Sequence, residues 1–111
     1  MSASGTIVTY REFWHFYLTQ HAKPATRAVH IAATTLGAIL LIAALVMADA
    51  RLVACAMVVG YGPAWLAHAI IEKNRPVTFR YPLWSLFSDL RMVVAWLSGN
   101  LEHELEKAGI S

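Results

Sequence analysis

The sequence predicts an all-α membrane protein: an antiparallel two-span helical hairpin, flanked by an N-terminal amphipathic helix and a C-terminal amphipathic or re-entrant helix. Three observations lead there. Of 111 residues, 58% are hydrophobic and 14% charged, against about 45–50% and about 25% in ordinary soluble domains, and the mean hydropathy is +0.50. Two apolar runs of twenty residues, 29–48 and 52–71, each make about 30 Å of helix, enough to cross a bilayer core. Only Asp49-Ala50-Arg51 separates them, so the two spans must fold back on one another. At this length the chain is expected to be a single membrane domain, residues 1–111.

The elements follow in order. Residues 1–8 are small and polar and are expected to fray; MSASG lacks the positive n-region and apolar h-region of a cleavable signal. Thr9-Tyr10-Arg11-Glu12 reads as a capping box that opens an amphipathic helix over 9–22. Phe13, Phe16, Tyr17 and Gln20 share a stripe, His21 extends the Phe13–Tyr17 row, and His15 points elsewhere. Aromatic side chains among charged neighbours suit a helix at the membrane–water boundary. Pro24 should stop or redirect it.

Span 1, residues 29–48, carries no formal charge with His30 neutral. Span 2, residues 52–72, holds Gly60, Gly62 and Pro63, the last expected to bend it. A polar motif loop, 73–82, lies between the spans and Pro82, which suits a first helical turn. In the next helix, 83–98, Leu83, Leu86, Phe87, Leu90, Val93, Val94 and Leu97 form an apolar stripe, while Ser85, Asp89, Met92 and Trp96 line another face. Asp89 and Arg91 near its middle favour an interfacial or re-entrant helix over a clean span. Gly99 suits a C-cap, and Asn100 can cap a short, solvated acidic tail helix over 100–108.

A hairpin has consequences for the histidines. His30 near the start of span 1 and His68 near the end of span 2 come to the same membrane face. His30, Ala33, Gly37 and Ala44 share one face of the first helix; Ala56, Gly60, Ala64, His68 and Glu72 recur at four-residue steps on the second. Small residues let membrane helices approach closely, so packing along these ridges would turn His30 toward His68 and Glu72. Arg11, Lys23, Arg27, Lys73, Arg75 and Arg80 flank the side of the termini, with Arg51 alone at the turn. The positive-inside rule then places the termini and the histidine cluster in the cytoplasm.

Several function classes are disfavoured. The scattered basic residues make no patch with interleaved aromatics, so nucleic acid is not an expected partner. A single cysteine, Cys55, rules out a disulfide framework within the chain. There is no Gly-rich phosphate loop and no CxxC pair. A carboxylate and imidazoles at the end of an apolar span are costly to bury unless partnered. Neutral imidazole is a ligand for iron, zinc or copper, and His21, His30, His68 and Glu72 can converge at one interface. Asn74 and Asp89 are candidate partners for holding the rings. Arg75 and Arg80 fit lipid headgroups or a bidentate grip on a substrate carboxylate equally well. His15 and His103 are read as ordinary polar residues.

The stretches FYLTQHAKPATRAVHIAATTLG and AWLAHAIIEKNRPVTFRYPLWSLFSDLRM resemble the Mpo-type 2-hydroxy fatty acid dioxygenases, a family long catalogued as a membrane domain of unknown function. The likeness runs from about Phe13 to Gly99 and rests on H-x8-H, H-x3-E-x-N-[RK]-P and YPLWSL. It implies an integral, multi-pass membrane enzyme that uses Fe(2+) and O2 to shorten a 2-hydroxy fatty acid by one carbon, the oxidative step of α-oxidation. The resemblance carries the iron ligands onto His21, His30 and His68, and the second motif onto Glu72, Asn74, Arg75 and Pro76. Glu72 would be a fourth ligand or proton carrier, Arg75 would orient the carboxylate, and Asn74, Asp89 and Tyr81 would support the ligands. Three other readings of the same residues stay open: a zinc hydrolase with Glu72 as base, a haem clamped by His30 and His68 between the spans, and a non-catalytic membrane hairpin. The small-residue ridges also allow a homo-oligomer.

Overall fold

The computed structural model describes residues 7–110. The fraying expected of residues 1–6 and the reading of MSASG fall outside that range. At Ile7 the expectation is corrected. This side chain is 5% exposed, and its N–H donates to the Tyr81 hydroxyl at 3.3 Å, because a branched apolar residue here has a core to enter.

All elements are helical, with no strand among the described residues. They are α1 (Tyr10–Thr19), α2 (Pro24–Met47), α3 (Ala50–Ala67) running on into a π-helical turn (His68–Glu72), a 3-10 turn (Val77–Phe79), α4 (Pro82–Leu97) and α5 (Leu101–Lys107). The chain divides into two compact units, one of Lys23–Pro76 and one of the segments up to Ala22 and from Val77 onward.

In the Lys23–Pro76 unit, α2 begins at Pro24 rather than at Val29. Proline opens this helix instead of ending the previous one, because its missing N–H would be unpaired at a first-turn position anyway. Ala48, left-handed at φ 51°, ends α2 one residue before the expected boundary. The Asp49 carboxylate accepts the Arg51 N–H at 3.0 Å, so Ala50 and Arg51 belong to α3 and not to the turn. Pro63 lies inside α3 without terminating it. With its π turn, α3 reaches 23 residues and α2 has 24; both are long and apolar enough to cross a membrane.

The two helices pack through the small residues. Ala33, Gly37 and Ala44 of α2 are buried, as are Ala56 and Ala64 of α3. A Cβ added at Gly37 would stand 3.0 Å from the Gly60 Cα and 3.2 Å from the Ala56 carbonyl oxygen. The large side chains point the other way: Leu36, Ile39, Ile42, Leu45 and Val46 of α2 and Val58 and Leu66 of α3 are exposed.

In the other unit the Thr9 hydroxyl accepts the Glu12 N–H at 3.3 Å and starts α1. The buried face of α1 is Phe13, Trp14, Tyr17 and Leu18, rotated from the expected stripe, with Phe16 and Gln20 half-exposed. Its aromatics enter a protein core. The Phe13 ring centre is 5.2 Å from that of Tyr81 and 5.4 Å from that of Trp84, and Tyr10 shares a hydrogen bond with the Ser88 hydroxyl at 2.9 Å. The helix opposite, α4, turns its polar side inward. Ser85, Ser88, Asp89, Met92 and Ala95 are buried, while Leu83, Leu86, Phe87, Leu90, Val94 and Leu97 are exposed. Trp96 is exposed too, away from the face where spacing had put it.

Gly99, at φ 77°, follows the end of α4. Asn100 precedes α5, but its side chain makes no capping bond. The tail helix is not simply solvated: Leu101 and Leu105 are buried, and Glu104 pairs with Arg91 at 3.3 Å. The Arg91 guanidinium in turn lies 4.2 Å from the centre of the Trp14 ring, a cation–π contact that ties α4 to α1.

Candidate metal centre

Within the Lys23–Pro76 unit, His30 and His68 are both buried, with ring centres 5.7 Å apart and planes nearly perpendicular at 84°. The small-residue packing of α2 on α3 accounts for this. Where glycine meets glycine the helices come close enough for two imidazoles to meet edge to face.

His68 opens the π-helical turn, and such turns are frequent at functional sites. The turn closes at Lys73, left-handed at φ 59°, whose N–H returns to the His68 carbonyl. The next residue repeats the contact twice. The Asn74 N–H donates to the same carbonyl at 2.9 Å, and the Asn74 Oδ1 lies 2.7 Å from the His68 Nδ1. An amide oxygen only accepts, so the His68 Nδ1 carries the proton and its Nε2 presents a lone pair. This is the arrangement by which metal-binding histidines are held in one tautomer.

Glu72, at the end of the same turn, accepts the Lys23 N–H at 2.8 Å, and the Lys23 ammonium donates to the Ile71 carbonyl at 2.9 Å. Lys23 is the N-cap of α2 and lacks a side-chain cap of its own. The Glu72 carboxylate therefore caps that helix from outside, where the helix dipole favours negative charge. Arg27 adds an electrostatic interaction with Glu72. Thr26, one turn before His30, is fully buried, and its hydroxyl has no hydrogen-bond partner among the described residues. A buried hydroxyl of this kind is costly unless a ligand or water satisfies it. Arg75 is exposed.

In the other unit, His21 follows the end of α1 and is fully buried. Its Nδ1 is 2.7 Å from the Tyr17 carbonyl oxygen, again an acceptor only, so here too Nε2 presents the lone pair. The Tyr17 ring packs on the imidazole with centres 4.3 Å apart, and the Tyr17 hydroxyl donates to Asp89 at 2.5 Å. Burial, then the nearby Asp89 charge, push the Tyr17 phenol well above its usual range, so it stays a donor. Burial also raises the Asp89 carboxyl to about 7, against the lowering effect of the Tyr17 hydrogen bond. Tyr81 stands in the aromatic cluster with Phe13 and Trp84 and receives the Ile7 amide.

His21, His30 and His68 are thus three buried histidines, each with a ring nitrogen that could serve a metal ion; His15 and His103 are not among them. Sequence reasoning missed three features: the Glu72 cap on α2, the second bond from Asn74 to the His68 backbone, and the Tyr17 carbonyl on His21. For the last the signal was present, since Tyr17 stands four residues before His21. No sequence pattern announced the first two, which depend on the π turn. A family model described as 2-hydroxy-palmitic acid dioxygenase Mpo1-like matches residues 7–101. No curated protein and no solved structure gives a match.

Proposed function

The chain belongs to the Mpo1-like family, and from that premise we propose that it is a membrane-embedded, iron(II)-dependent dioxygenase of 2-hydroxy fatty acids. One 2-hydroxy acid and one O2 give the acid one carbon shorter, CO2 and water. Atoms and electrons balance without a further reductant. The observation that carries the proposal is the donor set: three buried histidines, two of them with Nδ1 occupied by an acceptor-only oxygen. The covalent path supports bringing His21 to the other two. It lies two residues from Lys23, whose N–H is bound to Glu72, itself four residues from His68; two residues span at most about 7 Å.

His21, His30 and His68 would hold the metal through nitrogen, a set that suits iron(II) with positions left for other ligands. Bound iron(II) supplies the activation of O2 that organic side chains lack. Asn74 keeps the His68 ring in one tautomer. Arg75 would pair with the substrate carboxylate, and the Thr26 hydroxyl would meet a substrate oxygen. Glu72 either carries a proton or serves mainly to tie α2 to the π turn.

The membrane reading is supported by what α2 and α3 leave uncovered: only 28% and 22% of their apolar windows are buried. Lipid would cover the remainder of a two-span hairpin, with the termini and the histidines at the cytoplasmic face. The acyl chain of the substrate would enter from the same phase. Purification in mild detergent under anaerobic conditions, without a histidine tag, tests the proposal. About one iron per chain and O2 uptake with 2-hydroxypalmitate are expected, both lost in His30→Ala and His68→Ala. Full turnover in either variant overturns the site. Zinc with O2-independent hydrolysis overturns the chemistry.

A further inference from the structure

His21 is the one candidate ligand that no helix holds. It follows α1, whose last helical residue is Thr19, and a residue just past a helix end frays unless tertiary contacts prevent it. Here Tyr17 meets its ring in two ways. The Tyr17 carbonyl takes the Nδ1 proton at 2.7 Å, and the Tyr17 ring covers the imidazole at 4.3 Å. Tyr17 itself is 1% exposed, its ring stacks on Trp14 at 5.7 Å and 12°, and its hydroxyl reaches across to Asp89 of α4 at 2.5 Å.

Asp89 forms the other half of this arrangement. A carboxyl buried on the inner face of a helix whose outer face is leucine, valine and phenylalanine costs several kcal/mol, on the order of a desolvated charge, and persists where a specific partner needs it. The Tyr17 hydroxyl is such a partner. The pair thereby joins the last turn of α1 to the middle of α4.

We propose that Tyr17, anchored by Asp89, is a positioning residue that presents the His21 Nε2 for metal binding. This rests on the three-histidine reading and deepens it. Tyr17 touches neither metal nor substrate in this role. It acts by fixing the tautomer and direction of His21, so its loss weakens metal binding without removing a ligand. Loss of such a supporting contact typically costs about 10- to 100-fold in metal affinity.

The test uses cobalt(II) as the probe on apo-protein in detergent, read by its visible absorption, beside the 15N shifts of the His21 ring without metal. Wild type should bind one equivalent and show His21 protonated at Nδ1. Tyr17→Phe, which removes only the hydroxyl, and Asp89→Ala should bind about 10- to 100-fold more weakly with an altered cobalt spectrum and a mixed His21 tautomer. Asp89→Asn keeps an acceptor oxygen and should restore both signals. Tyr17→Phe in a His21→Ala background should cost nothing further.

Unchanged affinity, spectrum and tautomer in Tyr17→Phe, with His21→Ala clearly weakened, overturn the positioning role and leave the metal site standing. So does a lowered thermal stability with those three readouts unmoved. Wild-type protein that binds no cobalt(II) or iron(II) overturns the metal site itself. If Asp89→Ala fails to fold, Tyr17→Phe and Asp89→Asn still decide the question.

Discussion

Gly37 and Gly60 look equivalent in the sequence, but substitution should separate them. A Cβ at Gly37 would lie 3.0 Å from the Gly60 Cα and 3.2 Å from the Ala56 carbonyl oxygen. Both are backbone atoms in the middle of α3, so neither can swing aside as a side-chain tip would. To admit one methyl group, α2 and α3 must part by several tenths of an ångström along their contact. A Cβ at Gly60 instead meets the Gly37 Cα at 3.7 Å and the Ala33 oxygen at 3.9 Å, ordinary contacts. Gly37→Ala should therefore destabilise the Lys23–Pro76 unit by about 1–3 kcal/mol, the usual cost of overpacking, a shift of roughly 5- to 150-fold in the folding equilibrium. Gly60→Ala should be neutral or slightly stabilising, since alanine is the better helix former. Unfolding in mixed micelles of rising SDS fraction, followed by far-ultraviolet circular dichroism, measures both. The change at Gly37 should also loosen the His30–His68 contact, two helical turns away, and weaken metal binding. Equal costs at the two positions, or a harmless Gly37→Ala, would refute close backbone packing as the device that brings the two imidazoles together.

Three further outcomes are expected. Asn74→Ala, which frees the His68 Nδ1, should weaken metal binding about 10- to 100-fold while leaving the helix content unchanged, as titration of the apo-protein would read. The raised Asp89 carboxyl, near 7 when folded against an ordinary 3.8, makes the native form hold a proton the unfolded form has lost. Its contribution is fully present below about pH 4 and disappears as pH rises through about 7, a total on the order of 4 kcal/mol; thermal unfolding against pH should show this slope, and Asp89→Asn should flatten it. Ala48, left-handed at φ 51°, should accept glycine with a gain of about 0.5–1 kcal/mol, visible in the same mixed-micelle assay.

Much of this protein was open to reading in one dimension. Helix positions, the small-residue ridges and the nearness of His30 to His68 follow from local periodicity and from a connection too short to do anything but reverse the chain. Such features depend on residues within a few turns of each other, where spacing determines geometry. Even the row from Phe13 through Tyr17 to His21 is a matter of four-residue steps. What the residues around the histidines do was decided elsewhere. Glu72 caps α2 because a π turn carries its carboxylate to the Lys23 amide, and Asn74 folds back on His68 because Lys73 takes a left-handed backbone. Neither conformation has a sequence signature here. The polar face of α4 and the aromatic face of α1 read as opposite ends of an amphipathic pattern, and pattern alone does not say which face goes inside. Only the packed structure did, because Tyr10 and Tyr17 supplied hydroxyls for Ser88 and Asp89, and a buried polar group goes where its partner is.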